Sequence, residues 1–544
     1  MAEETYSTQR LDHLGIVAGI CQQIGLIEQI DTCVGATGRK VSVGEAVQAM
    51  VLNALGFVGR ALYLTPEFFD NKPVDILIRA GLTAEDMNDD SLGRALDMLY
   101  KAGITQVFFC VASHALSVFG IEYDFVHLDN TSFSLEGDYA IPSEDPRAVR
   151  IAHGYSRDHR PDLKQVVVSL ICSYQSSIPV WLQALDGNGA DKESFPRIIQ
   201  AYISQMQASQ LPYFIADSAL YSEKNIKSLR QVKWITRIPG TLNEVKELYK
   251  SITPEQMQGA EAAALEGYSY LEVGSYYGGL RQRWLVVFSK AAYRREAATF
   301  RKRLAENHTQ AEKFLKQLSQ QEFPTAEAAK TAVRVLESQW TFHQATTQLE
   351  KVFRYKRAGR PRKGAKPEHV GWRVVGEVVD NEEAIVEALK SKGKFILGSN
   401  ELNGEKLPAE MILTAYKGQG ASVERGFRFL KDPMFFASSL FLDKPERIMA
   451  LLMVMGLSLL VYALAERSLR TELAQRDESI PNQVGKPTQR PTIRRIFQVF
   501  QGIDVLLIQH SLGTKRQVLN LKPIHLRILD LLGPEVKNCY IRDG

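Results

Sequence analysis

Cysteine is scarce. The 544 residues hold five (Cys21, Cys33, Cys110, Cys172 and Cys539), with no CxxC pair and no histidine-rich spacing, so neither a zinc module nor a disulfide framework is indicated. A reducing compartment fits. Also missing is an apolar segment behind a basic start: the amino terminus, Met-Ala-Glu-Glu-Thr-Tyr-Ser-Thr-Gln-Arg, is polar and acidic, and no secretory signal is expected there. Charge of either sign is nearly balanced. The formal net charge is +4 and the sequence pI is near 8.6, which permits a polyanionic partner without requiring one. No internal repeat is evident. One apolar run stands out, Ile448 to Ala465, bounded by Arg447 and Glu466-Arg467 and at the lower length limit for a membrane span. It contains Gly456, Ser458 and Tyr462 and reads as a helix buried between layers, so no membrane partner is expected. With 45% hydrophobic and 24% charged residues the chain is globular, and its length suggests three or four domains.

From Leu11 to about Val118 the apolar spacing is helical, with Asp90 or Ser91 as a possible cap for the stretch Leu92 to Leu99. The texture changes at Tyr123. The stretch from Asp124 to Gly137 reads as a strand with Asp129 in it, and Gln165–Cys172 and Ile178–Leu185 read as a hairpin paired to it. A helix through Phe195 to Met206 follows. Then come a short strand ending at Asp217, a helix over Glu223 to Leu229 and a strand from Lys233. Three antiparallel strands, a helix, then parallel strands is the order of a ribonuclease H-like mixed sheet flanked by helices, an α/β class.

The expected organisation is an amino-terminal all-helical domain (1–120), a first catalytic part (121–240), a β-rich insertion with a basic loop (241–394), a second catalytic part (395–470), and a linker with a carboxyl-terminal region (471–544). Within the insertion, strands are expected around Gly278-Gly279 and one charged helical stretch over Ala292 to Ser338. Trp284, Trp340 and Trp372 are core aromatics or platforms for a flipped base. The segment Phe353 to Pro367 interleaves aromatics with Arg354, Lys356, Arg357, Arg360, Arg362 and Lys363 and has no acid among them, which favours contact with a phosphate backbone over a merely solvated loop.

A helix from Ser422 places Val423, Phe427 and Leu430 on one stripe and Glu424, Arg428 and Lys431 on the next. That second row is either a solvated ion-pair face or a carboxylate with phosphate-holding cations beside it. Asp129 and Asp217, each alone, are as readily turn formers as ligands. His127 shares a strand face with Asp129 and reads more simply as a core histidine.

Together these residues resemble the DDE transposases of bacterial insertion sequences, in the branch with a largely β insertion between the second Asp and the Glu. The resemblance rests on His127-Leu-Asp-Asn-Thr-Ser-Phe, Gly154-Tyr-Ser-Arg-Asp-His-Arg-Pro-Asp-Leu-Lys-Gln-Val, Gly187-Asn-Gly-Ala-Asp-Lys-Glu-Ser-Phe-Pro, Ile215-Ala-Asp-Ser-Ala and Tyr416 to Lys431. It implies that Asp129, Asp217 and Glu424 are catalytic and hold two Mg²⁺ or Mn²⁺ ions, hard cations suited to carboxylates. It further implies DNA contacts from Lys431, Arg428, Tyr416 and Gln419, with Arg157 and Lys164 as additional candidates. Tyr416 stands one residue upstream of the branch's usual place, and Gln419 stands near its Arg. Implied partners are double-stranded DNA with terminal inverted repeats, target DNA and a second copy of the chain, in a bacterial cytoplasm at the nucleoid. The alternatives are a catalytically silent DNA-binding descendant or another ribonuclease H-like nuclease. A likeness of Asp129-Asn-Thr to haloacid dehalogenase-like phosphatases fails at Thr131, where that motif asks for Asp.

Overall fold

A computed structural model describes residues 5–57, 62–139, 143–174, 177–206, 211–355, 364, 366–432, 442–510 and 513–541. The chain forms two compact units, one of Met1–Thr236, Tyr277–Leu280 and Ile412–Gly544, the other of Arg237–Tyr276 and Arg281–Met411.

The first unit opens with a strand, β1 (Thr5–Arg10), which pairs antiparallel with Asp504–His510, itself paired with Gly513–Leu519. Its polar, mostly exposed sequence gives no hydrophobic alternation, and its partner lies at the other end of the chain, so the helical reading did not include it. The helices Leu14–Gln23, Leu26–Val34, Val43–Leu55, Asp89–Ala102 and Ile104–Val118 follow the apolar spacing. The cap of the fourth is neither Asp90 nor Ser91: Asn88 accepts from the Ser91 amide at 3.0 Å. The first, third, fourth and fifth of these pack on the helix Pro445–Gln475, whose most apolar window is 94% buried inside the protein. A Cβ on Gly456 would lie 2.4 Å from Leu182 and 3.0 Å from Phe108, so glycine lets this helix press against the sheet. Its last turns occupy the start of the expected linker, which continues as the short pair Ile480–Pro481 and Pro487–Thr488.

The sheet of this unit contains β2 (Phe125–Leu135), β3 (Lys164–Ser173), β4 (Pro179–Leu185), β5 (Tyr213–Ala216) and β6 (Trp234–Arg237), in the order β4-β3-β2-β5-β6. β2, β3 and β4 are antiparallel neighbours, whereas β2–β5 and β5–β6 are parallel. β2 is buried along almost its whole length, as a central strand covered by helices on both faces must be. This is the mixed sheet flanked by helices that a ribonuclease H-like order demands.

The second unit holds β7 (Gln258–Gly259), β8 (Tyr268–Tyr277), β9 (Leu280–Ser289), a long hairpin of β10 (His343–Arg354) and β11 (Glu368–Asp380), and β12 (Lys394–Ser399). The charged stretch Ala292 to Ser338 is two helices, Lys290–Ser319 and Ala326–Glu337, with Phe323-Pro324 between them. Proline cannot continue the ladder, and Thr325 caps the second helix by accepting from the Ala328 amide at 3.1 Å. The hairpin escaped the sequence reading because one of its faces is polar and open. The other face packs Val374 and Val378 against Ala311, Leu315, Ala329 and Val333. Trp284 is buried and donates to Gln282 Oε1 at 3.0 Å, and Trp340 and Trp372 lie against the small core, so the core reading holds for all three. Lys356, Arg357, Arg360, Arg362 and Lys363 lie outside the described residues.

Past β4, the Gly187 amide donates to the Arg150 carbonyl at 2.9 Å. A Cβ there would stand 2.0 Å from the Gln165 carbonyl oxygen and 2.6 Å from that of Ala152, both rigid backbone. Gly187→Ala should therefore cost about 2–3 kcal/mol, read as a lower urea midpoint at unchanged slope; an unchanged midpoint contradicts this packing.

Candidate active site

Alternate residues of a strand share a face, so His127, Asp129, Thr131 and Phe133 form one row on β2. His127 Nε2 bonds the Ala415 carbonyl at 2.8 Å, and Lys431 Nζ lies 5.7 Å from the Phe133 ring centre. Both ends of the row thus touch the segment Ala415 to Lys431, and Asp129 between them faces that segment. Burial pushes the His127 imidazole down to about 4, so the ring is neutral and donates to Ala415. It is a core histidine that anchors the helix Ala409–Lys417.

On the parallel neighbour, His127 pairs with Ile215. Extending that register by two residues sets Asp217 beside Asp129, just past the end of β5. Asp217 Oδ1 accepts from the Ala219 amide at 2.9 Å, and its carbonyl accepts from Thr236 Oγ1 at 2.7 Å. It is at once a cap of the following turn and a member of the acidic centre.

A third aspartate joins them. Asp191, the first residue of the helix Asp191–Gln205, accepts from Asn130 Nδ2 at 2.8 Å and from Arg157 Nη2 at 2.5 Å. The Arg157 guanidinium also stands 3.6 Å from Asp129 Oδ1. Two glycines allow this. A Cβ on Gly154 would lie 2.1 Å from the Gly187 carbonyl oxygen, so the loop carrying Arg157 can close on the loop leading to Asp191 only without side chains there. Gln165 Nε2 ties both loops, donating to the Gly187 carbonyl at 2.7 Å and to that of Tyr155 at 3.2 Å.

Burial dominates the electrostatics. It pushes the Asp129 carboxyl up to about 7, with Asp217 and Asp191 adding to the rise; Arg157 and the Asn130 amide oppose it. Asp217 is raised by burial and by Asp191, against the Ala219 amide and Arg157. One guanidinium does not offset three carboxylates here, and the centre retains an appetite for positive charge.

Glu424 lies in the first turn of the helix Val423–Leu430, which packs on β2 and β3. Ser422 Oγ donates to the Ser173 carbonyl at 3.3 Å, and a Cβ on Gly426 would touch Leu170, Cys172 and Leu459. Arg425 reaches the buried Glu466 at 2.5 Å, which also holds Arg470 at 2.8 Å and the Ile493 amide at 3.1 Å. The helix is therefore fixed over the Asp129 face. The Glu424 side chain itself is exposed, its carboxylate 3.3 Å from where a Gly420 Cβ would be. Among the described residues, the one group of three His, Cys, Asp or Glu side chains with ligand atoms within 4.8 Å of one another is elsewhere in the chain, so Glu424 does not close on both aspartates in this conformation.

Of the other candidates, Lys431 Nζ pairs with Asp158 at 2.6 Å, Arg428 is exposed, and Tyr416 and Gln419 are half-buried on the approach to the Glu424 helix. Lys164 Nζ is engaged by the Asp138 and Tyr139 carbonyls at 2.6 and 3.1 Å, which makes it a brace for the β2–β3 end. Arg354 pairs with Glu322 at 2.7 Å. Asp191 is the site residue that sequence reasoning missed. Its signal was the Gly187–Pro196 run, but an acid in a helix's first turn is ordinary.

A family model described as "Transposase DDE domain" matches residues 122–462, and one described as "Domain of unknown function (DUF4277)" matches residues 6–113. No curated protein matches the chain. Among solved structures it is similar to the piggyBac transposase synaptic complex with hairpin DNA, at 9% identity and a TM-score of 0.36, covering 91% of this chain and 82% of that one. At that TM-score the likeness says nothing about function.

The raised Asp129 carboxyl has a defined effect on stability. Its folded value, about 7, exceeds the unfolded value of about 3.9, so its contribution is full below about pH 4 and is lost as pH rises through about 7. In chelator-treated buffer, wild type should lose about 1–3 kcal/mol relative to Asp129→Asn between pH 5 and pH 8, read from urea midpoints. Parallel pH profiles for the two proteins contradict the assignment.

Proposed function

This chain belongs to the transposase DDE domain family, and from that membership, with Asp129 on β2 and Asp217 just past the end of its parallel neighbour β5, both largely shielded from water, we propose that Asp129, Asp217 and Glu424 are its catalytic carboxylates. The paired aspartates carry this reading. The donor set suits two Mg²⁺ or Mn²⁺ ions: every ligand is a carboxylate oxygen, and burial leaves Asp129 in need of more positive charge than Arg157 supplies. Asp129, Asp217 and Glu424 are the residues that would hold them. When bound, such ions supply Lewis acidity for in-line displacement at phosphorus.

The chain's own groups do the rest. Asp129 is held by the β2 row and by the Asn130 amide at 2.8 Å, so its oxygens are oriented before any ligand arrives. Glu424 reaches the centre by turning away from Gly420 on a helix already anchored by Ser422, Arg425 and Gly426. Lys431, Arg428, Tyr416 and Gln419 follow along the same segment and would hold the DNA backbone, as would Arg354 and the basic residues after it; such contacts position without reading sequence. Arg157 balances charge within the carboxylate cluster.

The substrates on this reading are double-stranded DNA bearing the element's terminal inverted repeats and then target DNA, with two copies of the chain holding the paired ends. Water is the first nucleophile, and the freed 3′-hydroxyl is the second. The protein works wherever that DNA lies, and end recognition falls to the helical region ahead of β2.

Cleavage of a DNA carrying the flanking terminal repeats tests this. With Mg²⁺, Asp129→Asn should lower cutting by more than about a thousandfold while leaving the binding constant unchanged in Ca²⁺. A variant that still cuts refutes the assignment. A wild-type protein that binds the ends but never cuts marks a catalytically silent relative.

A further inference from the structure

We propose that the second unit carries a zinc site made by His308, His343 and Asp380, which clips the helix Lys290–Ser319 to the open end of the β10–β11 hairpin. The three residues come from three elements. His308 lies midway along the long helix, His343 opens β10, and Asp380 closes β11 directly opposite it in the ladder. His308 Nδ1 lies 3.1 Å from Asp380 Oδ1 and His343 Nδ1 lies 3.0 Å from the same oxygen, and all three donor atoms are within 4.8 Å of one another.

Donors of a tetrahedral ion at 2.0–2.1 Å stand about 3.3 Å apart, so these separations are close to those of a bound Zn²⁺, and two imidazoles with one carboxylate form a donor set that Zn²⁺ favours. His343 is buried, and its Nε2 has no hydrogen-bond partner, so the ring is held in place from its Nδ1 side. His308 Nε2 faces Glu312 Oε1 at 3.7 Å, one helical turn on. A carboxylate behind the far nitrogen of a ligand histidine fixes the tautomer that leaves Nδ1 free to coordinate. His308 and Asp380 are partly exposed, which leaves a path for the ion and a place for a water as fourth ligand.

The location gives the ion a task. The core that joins this helix to the hairpin is small, with Ala311 one turn beyond His308 and Val378 two residues before Asp380. A small core gains most from a cross-link, and a metal held by three separate elements is one. Without metal, the alternative is a hydrogen-bonded cluster in which His308 and His343 share the Asp380 carboxylate.

The test uses the full-length protein, stripped with chelator and dialysed against Zn²⁺ alone, with bound metal counted by atomic emission and thermal unfolding followed in parallel. Wild type and Asp129→Asn should each retain one Zn²⁺ and melt at a higher temperature with it. His308→Gln, at a partly exposed helix position that tolerates the change, should bind more than about tenfold more weakly and show no thermal shift. The Co²⁺ form of wild type should give the intense visible bands of tetrahedral coordination. No retained Zn²⁺ in wild type, equal retention by His308→Gln, or loss of the ion in Asp129→Asn overturns the proposal.

Discussion

Desolvation disfavours a charged carboxylate, and the first unit is built around holding Asp129 and Asp217 largely shielded from water on neighbouring segments of one sheet. The parallel register of β2 and β5 fixes their separation, and helices on both faces of β2 keep water away. The cost is visible in the Asp129 carboxyl, held near 7. It is partly offset by Arg157, and Arg157 is there because Gly154 and Gly187 let two loops meet at a distance no side chain would permit. Asp191 enters through the same contact, so a loop-packing constraint and an electrostatic one have a common origin.

The Glu424 helix obeys a different logic. Its apolar stripe of Val423, Phe427 and Leu430 is buried, and Arg425 plugs into Glu466 on the central helix. Backbone position is thereby settled independently of where the Glu424 carboxylate points. The helix is rigid, while the Glu424 carboxylate it carries is exposed and free of that constraint.

What the sequence revealed divides along these lines. Asp129 and Asp217 were legible because each interrupts or ends an apolar strand, and the long helix because its run of apolar residues has one plausible place, inside. The Glu424 stripe was legible from its helical spacing. Arg157 and Asp191 could not be seen as partners: they meet through tertiary contact between loops, which no local pattern encodes. The β10–β11 hairpin hid behind its polar face, and β1 behind a partner at the far end of the chain. His308, His343 and Asp380 follow no metal-binding spacing, since Asp380 is 72 residues from His308 and 37 from His343, and only the antiparallel ladder brings the latter two together.

If three carboxylates distant in sequence serve one metal centre, Mn²⁺ binding to the full-length protein, followed by electron paramagnetic resonance, depends on all of them. Single Asn or Gln replacements of Asp129, Asp217 and Glu424 should each weaken Mn²⁺ binding by more than about tenfold. A Glu424→Gln protein that takes up Mn²⁺ as tightly as wild type would contradict it.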